Sequence, residues 1–192
     1  VLVEMMLEAG LPPEVIQLVH GLGESAGAAI VNHPLIPVIS FTGSTETGRM
    51  VGEVCGRMHK RLSLEMGGKN AMIVFDDANL DLALDGVLWG AFGTTGQRCT
   101  ATSRLILQDG IHDELLSRLI DRVRELTLGD GRKEGTDVGP LISQNSVDKV
   151  ERYIDIGQQE NADLLCGGRR ATGKGLDNGF FFEPTIFARV RP

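Results

Sequence analysis

Pro37-Val38-Ile39-Ser40-Phe41-Thr42-Gly43-Ser44-Thr45-Glu46-Thr47-Gly48 reads as an apolar strand, Pro37 to Phe41, that turns at a glycine into a helix. From about Thr45 to Met58 the apolar residues Val51, Val54, Cys55 and Met58 recur at spacings of three and four. That spacing predicts an amphipathic helix with Cys55 as a core thiol. A glycine at such a junction lets a diphosphate approach the backbone. The helix N-terminal amides and the Ser44 hydroxyl can then bind its oxygens. The plainer alternative is that Ser44 or Thr45 is an N-cap and Gly43 a turn residue.

Upstream, Val1 to Ala9 reads as the tail of a helix closed by Gly10 and Pro12-Pro13. Val15 to Val19 reads as a short buried strand and Glu24 to Val31 as a helix of small residues. With the strand at Pro37 to Phe41, this order predicts a parallel, right-handed βαβ unit. Gly21-Leu22-Gly23-Glu24-Ser25-Ala26-Gly27 also joins strand to helix, but it has three residues, not two, before its last glycine. It therefore misses the usual dinucleotide spacing. Two glycine-bearing turns on neighbouring strands nonetheless suit a nucleotide lying across the carboxyl edge of a sheet.

Downstream, Arg61 to Glu65 alternates as a strand, with Leu62 and Leu64 on one face. Gly67-Gly68 is the expected domain boundary, giving domains 1–67 and 68–192. Beyond it we expect strands at Ala71 to Phe75 and Arg104 to Leu107, and a helix from Leu80 to Gly93 with Trp89 in the core. Helices near Asp113 to Leu126 and Asn145 to Gln159 follow, then strands at Ala162 to Cys166 and Phe180 to Phe187. The acidic run Asp76 to Asp81 reads as a helix start. Ala171 to Gly179, which includes Lys174, reads as a surface loop, and Lys69 as structural or solvated.

The whole is an α/β pattern of 192 residues, 42% apolar and 23% charged, which suits a soluble globular protein with a real core. A net charge of −7 disfavours nonspecific binding to nucleic acid or an anionic membrane. Three widely spaced cysteines, with no CxxC, predict reduced thiols and a cytoplasmic location. The scattered histidines predict no metal site. No run approaches membrane-spanning length, and we expect no signal peptide. The chain begins at Val1 with a helix under way and stops at Val190-Arg191-Pro192, so we expect both ends to be cut.

Two stretches carry chemistry. Cys99 lies in the Gly-flanked loop Gly93-Thr94-Thr95-Gly96-Gln97-Arg98-Cys99-Thr100 and is a candidate nucleophile, with Arg98 beside it a possible influence on the thiol. Glu65, in Leu64-Glu65-Met66-Gly67-Gly68-Lys69-Asn70, is a candidate base. Taken singly, each has a bland alternative, an inert buried thiol and an ordinary exposed or salt-bridged carboxylate.

Together the segments Phe41 to Gly48, Leu64 to Asn70 and Gly96-Gln97-Arg98-Cys99 resemble the NAD(P)-dependent aldehyde dehydrogenase superfamily in order and spacing. Gly139-Pro140 and Phe182-Glu183-Pro184-Thr185 look like further landmarks. The resemblance implies the end of a Rossmann-like nucleotide-binding domain followed by most of an α/β catalytic domain. It implies NAD or NADP as cofactor, a small-molecule aldehyde as substrate and a homo-oligomeric parent.

By resemblance, Cys99 is the nucleophile and Glu65 the general base. Gly43, Ser44, Thr45, Glu46, Thr47 and Gly48 would lie on the cofactor diphosphate. Gly23 and Gly27 would lie near its adenosine half, and the backbone at Met66 near the nicotinamide amide. The chain resembles an internal fragment of such an enzyme, and we expect it to be inactive alone. Two rival readings are an acylating, coenzyme A-dependent semialdehyde dehydrogenase, which the presence of Glu65 disfavours, and a structural or binding module that has kept the fold.

Overall fold

In the computed structural model, which describes residues 1–173 and 175–191, the chain forms two compact units, Val1–Gly67 and the residues from Gly68 onward. The first opens with helix α1 (Leu2–Glu8). Gly10 follows at φ 97°, a left-handed conformation that glycine adopts without a Cβ clash. A five-residue π-helical turn, Gly23–Gly27, then runs directly into helix α2 (Ala28–Asn32). The helix predicted at Glu24 to Val31 is thus present, with its first turn widened.

Val15 to Val19, expected as a buried strand, is not one. It has no ladder partner among the described residues, and Val15, Leu18 and Val19 are 68%, 58% and 62% exposed. Apolar composition marks a strand only where a neighbour takes up its backbone groups.

The parallel pair of the first unit lies one element later than expected. Strand β1 (Val38–Gly43) and strand β2 (Arg61–Met66) run in register from Val38↔Arg61 to Gly43↔Met66. Helix α3 (Thr45–Arg57) is the crossover between them. Its buried stripe is Val51 and Cys55, which pack on Ile39 with Phe41, Leu62 and Leu64 around them. Cys55 is 1% exposed, the core thiol its spacing predicts. The Lys60 ammonium donates to the Val31 and His33 carbonyls, each at 2.7 Å, tying the end of α2 to the start of β2. A cation there also complements the negative end of the helix dipole.

The second unit repeats the crossover. Strand β3 (Asn70–Val74) and strand β4 (Thr102–Leu107) are parallel, with helix α4 (Leu80–Phe92) between them. Asn79 caps α4 by accepting from the Leu82 amide at 3.1 Å, so the acidic run does lead into a helix start. Helix α5 (His112–Arg124) lies on α4, with Leu84, Val87 and Leu88 facing Leu115, Leu119 and Val123 in one cluster. Asp81 and Asp85 of α4 pair with Arg118 and Arg122 of α5 at the rim of this contact. Such exposed pairs set register more than stability.

Helix α6 (Gln144–Gln159), capped by Ser143, packs through Val147 and Ile154 on Leu141 and Phe182. Strands β5 (Asp163–Cys166) and β6 (Ile186–Ala188) form an antiparallel pair. Among the described residues no helix is long and apolar enough to cross a membrane.

Two further expectations are corrected. The strand predicted at Phe180 to Phe187 shrinks to β6, with only an isolated bridge from Phe182 to Arg170 before it. Pro184 has no N–H to donate to a ladder, which breaks the run. Trp89, expected in the core, is 69% exposed. The buried stripe of α4 is Leu84, Val87 and Leu88, and the residue after Leu88 turns about 100° away from it. In the Ala171 to Gly179 loop, Gly173 N–H donates to Asp177 at 2.9 Å, and Lys174 lies outside the described residues, as does Pro192 at the chain end.

Leu115 has no exposed surface and sits at the centre of the α4–α5 contact. Leu115→Ala leaves a cavity as well as losing transfer free energy, so we expect a loss of about 2–5 kcal/mol. Urea titration should show a lowered midpoint with little change in slope.

Candidate active site

The loop that carries Cys99 is held in an unusual backbone. Thr94, Thr95 and Gly96 are left-handed in succession, at φ 55°, 57° and 66°. For a β-branched residue this conformation is costly and persists only where surrounding contacts impose it. Those contacts are present. The Thr95 hydroxyl donates to the Gly139 carbonyl at 3.1 Å, and Gln97 N–H closes a turn onto the Thr94 carbonyl at 3.0 Å. The Gln97 side chain accepts from the Ile142 amide at 3.0 Å and donates toward the Pro140 carbonyl at 3.4 Å. The landmark Gly139-Pro140 therefore serves as the anchor of the Cys99 loop.

Cys99 occupies the next turn, closed by Ala101 N–H onto the Arg98 carbonyl at 3.1 Å. Its thiol is exposed, whereas Cys55 is buried and Cys166 is half-buried. Burial pushes the Cys166 thiol upward from the usual range, and its Sγ lies 3.8 Å from the Pro184 carbonyl. Of the three thiols, only that of Cys99 is open to a substrate. Asn70, the first residue of β3, donates its side-chain amide to the Cys99 carbonyl at 2.7 Å and to the Ala101 carbonyl at 3.3 Å.

Arg98 turns away from the thiol. Its guanidinium donates to the Trp89 carbonyl at 2.7 Å near the C-terminus of α4 and stacks 3.8 Å from the Trp89 ring centroid. A cation at a helix C-terminus and over an indole face is well placed on both counts.

In the first unit, the residues read as base and cofactor contacts gather at the carboxyl ends of β1 and β2, where Thr42 faces Glu65 and Gly43 faces Met66. Glu65 is exposed and enters no ion pair or side-chain hydrogen bond among the described residues. Ser44 caps α3 by accepting from the Thr47 amide at 3.1 Å, and its Oγ lies 2.9 Å from the Thr47 hydroxyl. The first amides of a helix have no acceptor within it. With Thr47 satisfied by Ser44, and Gly48 N–H donating to the Ser44 carbonyl at 2.8 Å, the amides of Thr45 and Glu46 have no acceptor among the described residues. Glu46 is exposed in this first turn, where its charge suits the dipole.

Gly48 is buried under Met66, and a Cβ there would collide with the Met66 sulfur. Helix-to-strand packing therefore accounts for a glycine at 48 without any ligand. Gly23 and Gly27 have open space where a Cβ would stand, so packing does not require glycine at either. The Ser25, Ala26 and Gly27 amides of that π turn all converge on the Leu22 carbonyl.

Ser44→Ala should cost about 1 kcal/mol by leaving the Thr47 amide uncapped. A shift in the denaturation midpoint would report it, and Ser44→Asp should restore most of the loss.

The aldehyde dehydrogenase family profile matches residues 1–192 of the chain. This chain belongs to the aldehyde dehydrogenase family. It is 43% identical over 183 residues to an alpha-ketoglutaric semialdehyde dehydrogenase of Bacillus subtilis, covering 95% of the chain and 38% of that protein. It is 42% identical over 189 residues to a betaine aldehyde dehydrogenase of Mesorhizobium japonicum, covering 98% of the chain and 39% of that protein.

Among solved structures, betaine aldehyde dehydrogenase from Staphylococcus aureus in complex with NAD+ superposes with a TM-score of 0.92 at 39% identity, covering 96% of the chain and 37% of that structure. PnpE in complex with nicotinamide adenine dinucleotide superposes at 0.93 with 44% identity, covering 96% and 38%. The chain thus spans less than two fifths of the length of these relatives. The α/β architecture with parallel strand pairs is the one the aldehyde dehydrogenase resemblance implies.

Asn70, Thr95 and Gln97 stand in the segments that carry Glu65 and Cys99, and their bracing role comes from the structure. Only a polar side chain beside a glycine-rich turn marked them in the sequence.

Proposed function

We propose that this chain carries the nucleophile and the general base of an NAD(P)+-dependent aldehyde dehydrogenase, converting an aldehyde to its carboxylic acid. The observation that carries the reading is the presentation of Cys99, an exposed thiol on a turn braced from two sides by Gln97 and Asn70. Supporting it, the family's relatives include betaine aldehyde and semialdehyde dehydrogenases, and two structural neighbours hold NAD+.

In this reading Val1–Gly67 is the end of a nucleotide-binding domain and the residues from Gly68 onward belong to a catalytic domain. The Cys99 sulfur, having given its proton to solvent, attacks the aldehyde carbon as the thiolate, and the resulting oxyanion accepts from the Cys99 backbone N–H. The carbon gives up hydride, for which the nicotinamide cofactor is the acceptor, and a thioester remains on Cys99. Glu65 takes a proton from water as that water attacks the thioester and passes it to the departing sulfur, which releases the acid and the free thiol. The unpaired Thr45 and Glu46 amides and the Ser44 hydroxyl, with Gly43, Thr47 and Gly48 alongside, suit the cofactor diphosphate. Gly23 and Gly27 suit its adenosine half, and the backbone at Met66 its carboxamide.

Acid quenching of the protein that carries this chain, during turnover with NAD+ and betaine aldehyde or a semialdehyde, should leave an acyl group on the Cys99 peptide. Turnover with no acyl mass on that peptide, or with the mass on another cysteine, would refute the reading.

A further inference from the structure

We propose that Asn70 is a positioning residue for the nucleophile, its side-chain amide setting the turn that presents the Cys99 thiol. The inference rests on the reading of Cys99 as nucleophile and assigns a role to a residue outside that chemistry. The geometry is specific. One Nδ2 group donates to two carbonyls of the same four-residue turn, that of Cys99 at 2.7 Å and that of Ala101 at 3.3 Å. Among the described residues the turn itself is closed by one backbone bond, Ala101 N–H to the Arg98 carbonyl. Ser103 Oγ, at 3.4 Å from the Ala101 carbonyl, adds little.

The brace is rooted in the sheet. Asn70 begins β3, pairs with Thr102 at the start of β4, and sits at a register shift between itself and Ala71. That irregularity sets Asn70 apart from the regular ladder that starts at Ala71, beside the Cys99 turn. The turn is thus referenced to two strands on this side and to Gly139, Pro140 and Ile142 on the other, through Thr95 and Gln97.

Two consequences follow for the sulfur. Fixing the Cys99 carbonyl fixes the plane of the peptide that follows the nucleophile, which limits the directions open to the thiol. The N–H dipole of Asn70 also offsets the carbonyl oxygen of Cys99 itself, whose sulfur must develop negative charge as it reacts. An apolar side chain of similar size at position 70 would leave the Cys99 oxygen without its side-chain donor, the Ala101 oxygen with only the long Ser103 contact, and the turn free to reorient. This role differs from stabilising the fold, because Asn70 is exposed and contributes nothing to the α4–α5 core.

The test is residue-resolved alkylation of the chain by iodoacetamide at neutral pH, with the labelled peptides quantified by mass spectrometry. In the parent chain Cys99 should react at least tenfold faster than Cys166, and Cys55 should stay unlabelled while the first unit is folded. Cys99 reacting no faster than Cys166 in the parent would defeat the nucleophile reading itself, independently of Asn70.

In Asn70→Leu the Cys99 rate should fall about five- to tenfold with the Cys166 rate unchanged. Asn70→Ala, which cannot introduce a clash, should show the same fall. A Cys99 rate within twofold of the parent in a variant whose Cys166 rate is unchanged overturns the proposal. So does a rise at Cys166 in both variants, which would assign the amide to holding the second unit together.

Discussion

Cys99→Ala is expected to abolish aldehyde oxidation in the protein that carries this chain, with a loss on the order of 10⁴-fold or more in kcat. Without the sulfur no covalent bond to the aldehyde carbon forms, so there is no tetrahedral carbon from which hydride can leave. Neither remaining cysteine can substitute, since Cys55 is 1% exposed and Cys166 is half-buried beside the Pro184 carbonyl. The substitution removes an exposed side chain that makes none of the turn's bracing bonds, since Asn70 donates to the Cys99 backbone carbonyl, so stability should change little. Rapid-mixing measurement of reduced cofactor should show neither a burst nor a steady rate. A preserved burst in Cys99→Ala would show that the chemistry uses another nucleophile.

Glu65→Gln should have an effect of similar size but a different signature. The proposed base acts after hydride transfer, so the first turnover should proceed and the second should stall. We expect a full burst of reduced cofactor, followed by a steady state slowed about 10²- to 10⁴-fold, with acyl-enzyme accumulating. Glu65 is suited to this test because it enters no ion pair or side-chain hydrogen bond among the described residues. Replacing it leaves no partner stranded, and the β1–β2 ladder keeps its backbone bonds. Loss of the burst along with the steady rate would mean that Glu65 serves an earlier step. An unchanged steady state would remove it from the mechanism. If a thiol acceptor such as coenzyme A restored the rate in Glu65→Gln, the thioester would be confirmed from the other side.

These two substitutions separate the halves of a single reaction. The Asn70 substitutions then ask how the first half is prepared, through a residue that touches neither aldehyde nor cofactor. Leu115→Ala and Ser44→Ala address stability alone, one through a core cavity and one through a helix cap.

Short-range features were legible without coordinates because the forces behind them act within a few residues. Ser44 is the cap of α3 because a hydroxyl before a helix reaches the third amide along. Cys55 is buried because it shares a stripe with Val51 one turn away. Glu65 and Cys99 stand in segments whose order and spacing resemble the aldehyde dehydrogenases, and the family profile matches the whole chain. Trp89 differs from its sequence expectation because it adjoins the apolar stripe of α4 in sequence yet points about 100° away from it in space. Val15 to Val19 is not the strand its composition predicts because an apolar run needs a neighbouring strand to become one, and none pairs with it among the described residues.

The sequence by itself determined the family, the α/β order of most elements, the capped start of α3 and the two side chains proposed for chemistry. Each of these depends on residue identity or on spacings of a few positions. Tertiary structure alone decided which strands pair, and that Arg98 spends its charge on α4. It also decided that Asn70 and Gln97 brace the turn of Cys99 from β3 and from the loop at Pro140 to Ile142. Those bonds join residues about 30 to 45 positions apart in the chain. No local pattern encodes them; they exist only once packing has brought the segments together.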